Sequence, residues 1–210
     1  MRAASVDGKV RTMSERLQRN EELRDQFTWH WDHLLRERLS GLTDDEYFWE
    51  PVAESWSVRP RGAGIAPVQA GSGAMTIDFA FPEPVPAPFT TIAWRLGHVI
   101  VGVLAVRNAS HFGREPVDYF TFDYAATAEE ALAQLDEELA TWLAGVEALG
   151  EDGLARPCGE AEGPFAEDPM SRLVLHIHRE LIHHLSEVCV LRDLYLHSHD
   201  CGAAAGGVGA

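Results

Sequence analysis

Three side chains in this sequence have the types and spacing for metal chemistry: His98, Glu180 and His184. Glu180 and His184 are four residues apart in the run "HIHRELIHHLSEVCVLRDLYLH". That spacing stacks a carboxylate and an imidazole on one helical face, where they can share a ligand. A carboxylate buried alone costs several kcal/mol or takes up a proton; a bound cation removes that cost. His98 interrupts an otherwise apolar run, Ile92 to Val106, and is the natural third member. Two histidines and one carboxylate, with a fourth position left for water or substrate, is the donor set of a catalytic rather than a structural zinc site. A lone histidine on an apolar face is more often a satisfied core residue. The Glu180 partner is what lifts His184 out of that class.

A helical wheel makes the assignment specific. With Glu180 at zero and about 100° per residue, Met170, Leu173, Ile177, Leu181, Val188, Leu191 and Tyr195 centre near roughly 70°. His184 falls about 30° from that centre and Glu180 about 70°, on the edge of the stripe. His183 lies about 130° away and His178 about 90° away on the other flank, which predicts that both are solvated. His176, one turn before Glu180, reads as a fourth ligand, an outer-shell residue or a surface residue. Arg95 faces either the pocket or the first helix, and is a candidate for binding an anionic group of substrate. His30 and His33 read as partly exposed, and His111, His197 and His199 as helix-end residues. Cys189 reads as a buried structural thiol and Cys158 as an exposed, oxidisable one. No nucleophile elbow, P-loop, dinucleotide fingerprint or CxxC pair is present.

Four long helical segments would position these residues. The first is expected from about Ser14 to Leu39, with an apolar stripe through Leu23, Phe27, Trp31, Leu34 and Leu35. "GLTDDE" breaks it, with Thr43 or Asp44 suited to capping a short turn. The second, about Thr91 to Ser110, is apolar nearly all round and therefore buried. The third starts at Thr127, where Glu130 completes a capping-box pattern, and ends at Gly150 and Gly153. The fourth runs from about Pro169 to His197. The link 41–90 holds most of the eleven prolines. Its "TIDFAF" stretch, Thr76 to Phe81, alternates as a short strand or hairpin does. The expected fold is all-α, a four-helix bundle with a long first crossover over residues 14–199. Residues 1–13 are expected as a flexible arm and 200–210 as a disordered Gly/Ala tail.

Composition narrows the partners. Seventeen basic and thirty-three acidic residues in 210 give a net charge of −16. Phosphate binding runs on clustered Lys and Arg, so nucleic acid and anionic membrane surfaces are excluded as main partners. A hydrophobic content of 46% excludes a disordered chain. Three scattered cysteines fit a reducing cytoplasm, and no apolar run is long enough to span a bilayer. The acidic excess reads as solvated outer helix faces, with Glu180 as the acidic residue used inside.

Three motifs together resemble the DinB-like proteins: "GLTDDEYFWEPVAESWSVRP" after the first helix, "TTIAWRLGHVI" with a histidine four residues after a tryptophan, and "HIHRELIHHLSEVCVLRDLY" on the fourth helix. The resemblance covers roughly residues 22–196 and includes mycothiol- and bacillithiol-dependent S-transferases and mycothiol-dependent maleylpyruvate isomerase. It implies a four-helix bundle, often a homodimer, with a divalent metal on one residue of helix two and two of helix four. Carried over, these are His98, Glu180 and His184. Many members have three histidines; the isomerase-like branch has Glu at the first helix-four position. A carboxylate ligand is harder, so Ni²⁺, Fe²⁺ or Mn²⁺ is admitted beside Zn²⁺. The implied activity is a transferase or isomerase in which a low-molecular-weight thiol, held as thiolate, attacks a small electrophile. Sixteen arginines against one lysine suit a GC-rich actinobacterial source and mycothiol as the thiol. The alternatives are a metal-dependent hydrolase of small substrates, or a metal- or ligand-binding bundle without catalysis.

Overall fold

The computed structural model describes residues 18–205, with side chains as far as Ser198; the expected N-terminal arm lies outside that range. Most of the chain is helical. Helix α1 covers residues 19–39 and passes through a π-helical turn at Trp31–Leu35. It buries Phe27, Trp31, Leu35 and Leu39, while Leu34, expected on the same stripe, is exposed. Short helix α2, Asp44–Tyr47, is capped by Thr43 in a complete capping box with Glu46. Helix α3 covers residues 92–112, with a π-helical stretch at Val99–Ala105 and Thr91 as its N-cap. Helix α4, Ala128–Leu154, is capped by Thr127. It bends at Gly150, which leaves the helical region at φ 57°, and resumes for a final turn. Helix α5 runs from Met170 to Ala205, further than the sequence pattern implied.

The four long helices pack on one another, α4 against α1 and α3, and α5 against α1 and α3. Trp142 of α4 is fully buried between Phe112 of α3 and His178 of α5. Among the described residues no helix is long and apolar enough to cross a membrane.

The 41–90 link is more than a hairpin. Strands β1 (Val58–Pro60), β2 (Val68–Ala70) and β3 (Met75–Phe79) form an antiparallel sheet in the order β1-β3-β2. Ile77 pairs with Val58 on one side and Ala70 on the other, and all three side chains are buried. Asp78 organises the remainder. Its Oδ1 accepts from the Ile65 and Ala66 amides and Gln69 Nε2; its Oδ2 accepts from the Ser57 amide and Arg59 Nε. Burial pushes this carboxyl up, but those donors outweigh it and hold it below the usual carboxylate range.

Glu180 is not the only acidic residue turned inward. Asp78 and Glu46 are 0% and 3% exposed, and Glu46 is paired with Arg192 of α5, whereas Glu180 keeps 28% of its side-chain exposure. Both buried carboxylates are satisfied by local turns and arginines brought in from distant sequence, which helical periodicity does not encode.

Candidate metal centre

The site forms where α3 and α5 face each other. α3 contributes Arg95, His98 and Gly102; α5 contributes Glu180, His184 and Glu187. The rings of His98 and His184 meet edge to face, with centroids 4.8 Å apart. Glu180 Oε2 lies 3.6 Å from His184 Nε2. The structure thus brings His98 to His184 and sets Glu180 beside His184.

Both imidazoles are held at their Nδ1 atoms. His98 Nδ1 is 2.7 Å from the Tyr119 hydroxyl, and His184 Nδ1 is 2.9 Å from Glu187 Oε2. Trp94 stacks on His98 with its ring nearly parallel, and its Nε1 donates to the Asp78 carbonyl. Phe79 of β3 packs on Tyr119. The sheet and the 113–126 loop therefore cover the α3 side of the site. Two glycines permit this closeness. A Cβ on Gly97 would press on Ile77 at 3.0 Å, and one on Gly102 would stand 2.1 Å from the Tyr119 hydroxyl.

Electrostatics follow from this enclosure. Burial, then the charge of His184, lowers the His98 pKa to about 4, against the opposing pull of Glu180. Burial pushes the Tyr119 hydroxyl up to about 12, so it stays neutral. Burial raises Glu187, but the His184 hydrogen bond and the nearby Arg95 charge outweigh it and hold this carboxylate ionised.

Arg95 is directed at Glu187 Oε2. It also lines, with Phe89, Ile182 and His183, an open cleft of about 440 Å³ on the outer side of α5. His183 is exposed, as expected, 3.5 Å from Glu187 Oε1. Among the described residues, the trio whose ligand atoms all lie within 4.8 Å of one another is His183, His184 and Glu187. A cation held there would have to compete with Arg95 for the Glu187 carboxylate. His176 lies 3.5 Å from Glu180 Oε1.

His178 corrects the wheel. It is 6% exposed, stacked on Phe27 and edge-on to Trp142, and burial lowers its pKa to about 4. The wheel assumed one buried arc, but α1 and α4 wrap this part of α5 from a second side. Cys189 is buried as expected; Cys158 is partly buried rather than exposed.

Three contributors escaped the sequence reading. Glu187, one turn past His184, was within reach of the same wheel. Trp94 was visible only as a motif residue. Tyr119 sits in a stretch with no periodicity, and nothing local marks it.

A family model described as the DinB superfamily matches residues 26–188. No curated protein and no solved structure shows significant similarity to the chain.

Proposed function

The chain belongs to the DinB superfamily, and on that premise we propose that it is a metal-dependent enzyme transferring a low-molecular-weight thiol to a small electrophile, or isomerising one with the thiol's help. The ligands assigned to a divalent metal in this reading are His98, Glu180 and His184; among the described residues they are not a group whose ligand atoms already lie within 4.8 Å of one another, so metal binding has to draw these side chains together. The carrying observation is that the His98 and His184 rings meet at 4.8 Å while each Nδ1 is already engaged. In the tautomer that donates Nδ1–H to Tyr119 and to Glu187, each ring keeps an Nε2 lone pair free for a metal. Glu180 supplies the negative charge, and one position stays open for a small molecule. Zn²⁺ suits the two nitrogen donors, and the carboxylate admits Ni²⁺ or Fe²⁺.

When bound, such an ion supplies a Lewis acid that holds a thiol as its thiolate. The protein's own part is positioning. Glu187, itself fixed by Arg95, orients His184; Tyr119 orients His98. Trp94 and Phe79 exclude water from the α3 side, which strengthens every charge interaction within. The cleft lined by Phe89, Arg95, Ile182 and Glu187 opens beside the Arg95–Glu187 pair that stands behind His184. A mycothiol-like thiol is the expected co-substrate.

The test is turnover of a generic electrophile, such as monobromobimane, by protein loaded with Zn²⁺, Ni²⁺ or Fe²⁺, with and without thiol. Metal- and thiol-dependent product formation that disappears in His184→Ala supports the reading. Thiol-independent release of product from ester substrates would replace it with hydrolysis.

A further inference from the structure

A second chamber adjoins the metal centre on the far side of Glu180. Its volume is about 430 Å³, a size that encloses a small molecule. Glu180 itself does not line the chamber but touches two residues that do. Its Oε2 faces His184 at 3.6 Å, while its Oε1 lies 3.5 Å from His176 and 3.4 Å from Arg179, both lining the chamber.

Three guanidinium groups border this space: Arg107 from α3, and Arg172 and Arg179 from α5. Two carboxylates face them. Asp168 is taken by Arg172 at 3.0 Å. Glu162 is bonded to His111 at 2.9 Å and reaches Arg107 only at 3.5 Å. Arg107 donates instead to the Gly102 carbonyl, one turn from His98, and its Nε is buried without a partner. Arg179 leans on the His176 ring and on Glu180. The lining residues themselves carry three guanidinium groups against two carboxylates. A surplus of positive charge in a chain of net charge −16 runs against the composition. The opposite wall, with Phe165, Leu173 and Leu175, is apolar.

Given the metal-centre reading, on which the link between the two sites rests, we propose that the chamber binds the carboxylate of a small substrate with an apolar body in the same α3–α5 groove as the metal centre. Arg179 and Arg172 clamp the carboxylate from the solvent side, Arg107 adds charge from the inner wall, and Phe165 and Leu173 take the body. Planar forked donors suit a carboxylate better than an amide.

The experiment follows binding of 4-fluorophenylacetate to the full chain by fluorine NMR, with 4-fluorophenylacetamide as the uncharged control. The carboxylate should bind about tenfold or more tightly than the amide, the scale of one lost charge-assisted contact. Arg172→Ala/Arg179→Ala alters two exposed side chains and should bring the carboxylate down to the amide's affinity, with the circular dichroism spectrum unchanged. His184→Ala should keep carboxylate binding within about twofold, since the arginines supply it. Equal binding of the two probes, or a double variant that binds as the parent does, overturns the proposal, as does the absence of any saturable shift at millimolar probe. The two readings fail separately. Loss of metal- and thiol-dependent turnover with carboxylate binding intact sinks the metal centre alone; turnover without carboxylate selectivity sinks the chamber alone.

Discussion

Replacing Asp78 should unfasten the cover of the site, and its size can be worked from five contacts. The carboxylate is fully buried and accepts from three backbone amides, Gln69 and Arg59 at 2.7 to 3.2 Å. Asp78→Ala leaves those amides without partners and loosens Arg59, which retains Glu50 at 2.9 Å. Hydrogen bonds to a charged group are worth about 1.5–3 kcal/mol each but do not add, and breaking one side of a buried charged pair costs about 3–5 kcal/mol. A loss of about 4 kcal/mol is expected, which in a domain of this size lowers Tm by roughly 8–16 °C. Asp78→Asn keeps one acceptor oxygen for Ile65, Ala66 and Gln69, but turns an NH₂ toward the Ser57 amide and Arg59; it should lose about 2–3 kcal/mol. The pH dependence gives a second reading. The Asp78 pKa is lowered in the folded chain, so its contribution is full above the unfolded value, about 3.9, and fades as pH falls through the folded one. Thermal melts by circular dichroism at pH 7, and acid titration of stability for parent and variants, measure both. If Asp78→Ala costs less than about 1 kcal/mol, the carboxylate is not what holds the sheet, and the reasoning fails.

Replacing His98 or His184 with Ala should abolish stoichiometric divalent metal by elemental analysis, while His183→Ala should leave it; metal lost in His183→Ala but kept in His98→Ala would move the centre to His183, His184 and Glu187. Glu187→Gln should weaken metal affinity by about 10- to 100-fold, the usual effect of losing a carboxylate behind a ligating histidine, as read by competition with a chromophoric chelator. His178 adds a pH slope. Its folded pKa of about 4 lies below the unfolded value of about 6.5, so stability is full above pH 6.5 and falls toward pH 4. His178→Leu should remove that slope, at a cost of about 1 kcal/mol at neutral pH for the lost hydrogen bond to the Leu23 backbone, as denaturant melts across that range would show.

The sequence made the helices and their starts legible because those signals are local. Thr43 and Thr127 cap as their spacing implies, the second long helix starts at Thr91 as expected, and the apolar run of α3 is buried. The approach of His98 to His184 was legible too, because one falls on an apolar helix and the other inside an apolar stripe. What escaped is what comes from elsewhere in the chain. Tyr119 reaches His98 from an unpatterned loop, and Asp78 gathers donors from four separate turns and strands. Periodicity reports which way a residue faces, not what faces it. His178 shows the same limit, since α5 has neighbours on two sides and its buried arc is wider than one wheel centre allows. Arg95 was read for a substrate anion because its partner, Glu187, lies ninety-two residues away.

The wide turns of α3 have a consequence for how this groove arose. In an unbroken α-helix, Arg107 would sit nine steps from His98, about 180° around the axis. The π-helical stretch Val99–Ala105 lies between them. Such a stretch accommodates an extra residue and rotates everything downstream by about 100°. That rotation brings Arg107 to within about 80° of the His98 direction, so that a single helix lines both the histidine pair and the arginine chamber. The irregularity absorbs one residue of length: an unbroken helix of the same length would turn Arg107 to the far side and part the two halves of the groove, whereas a helix one residue shorter would need no wide turn to keep that arginine, then eight steps from His98, at about 80°.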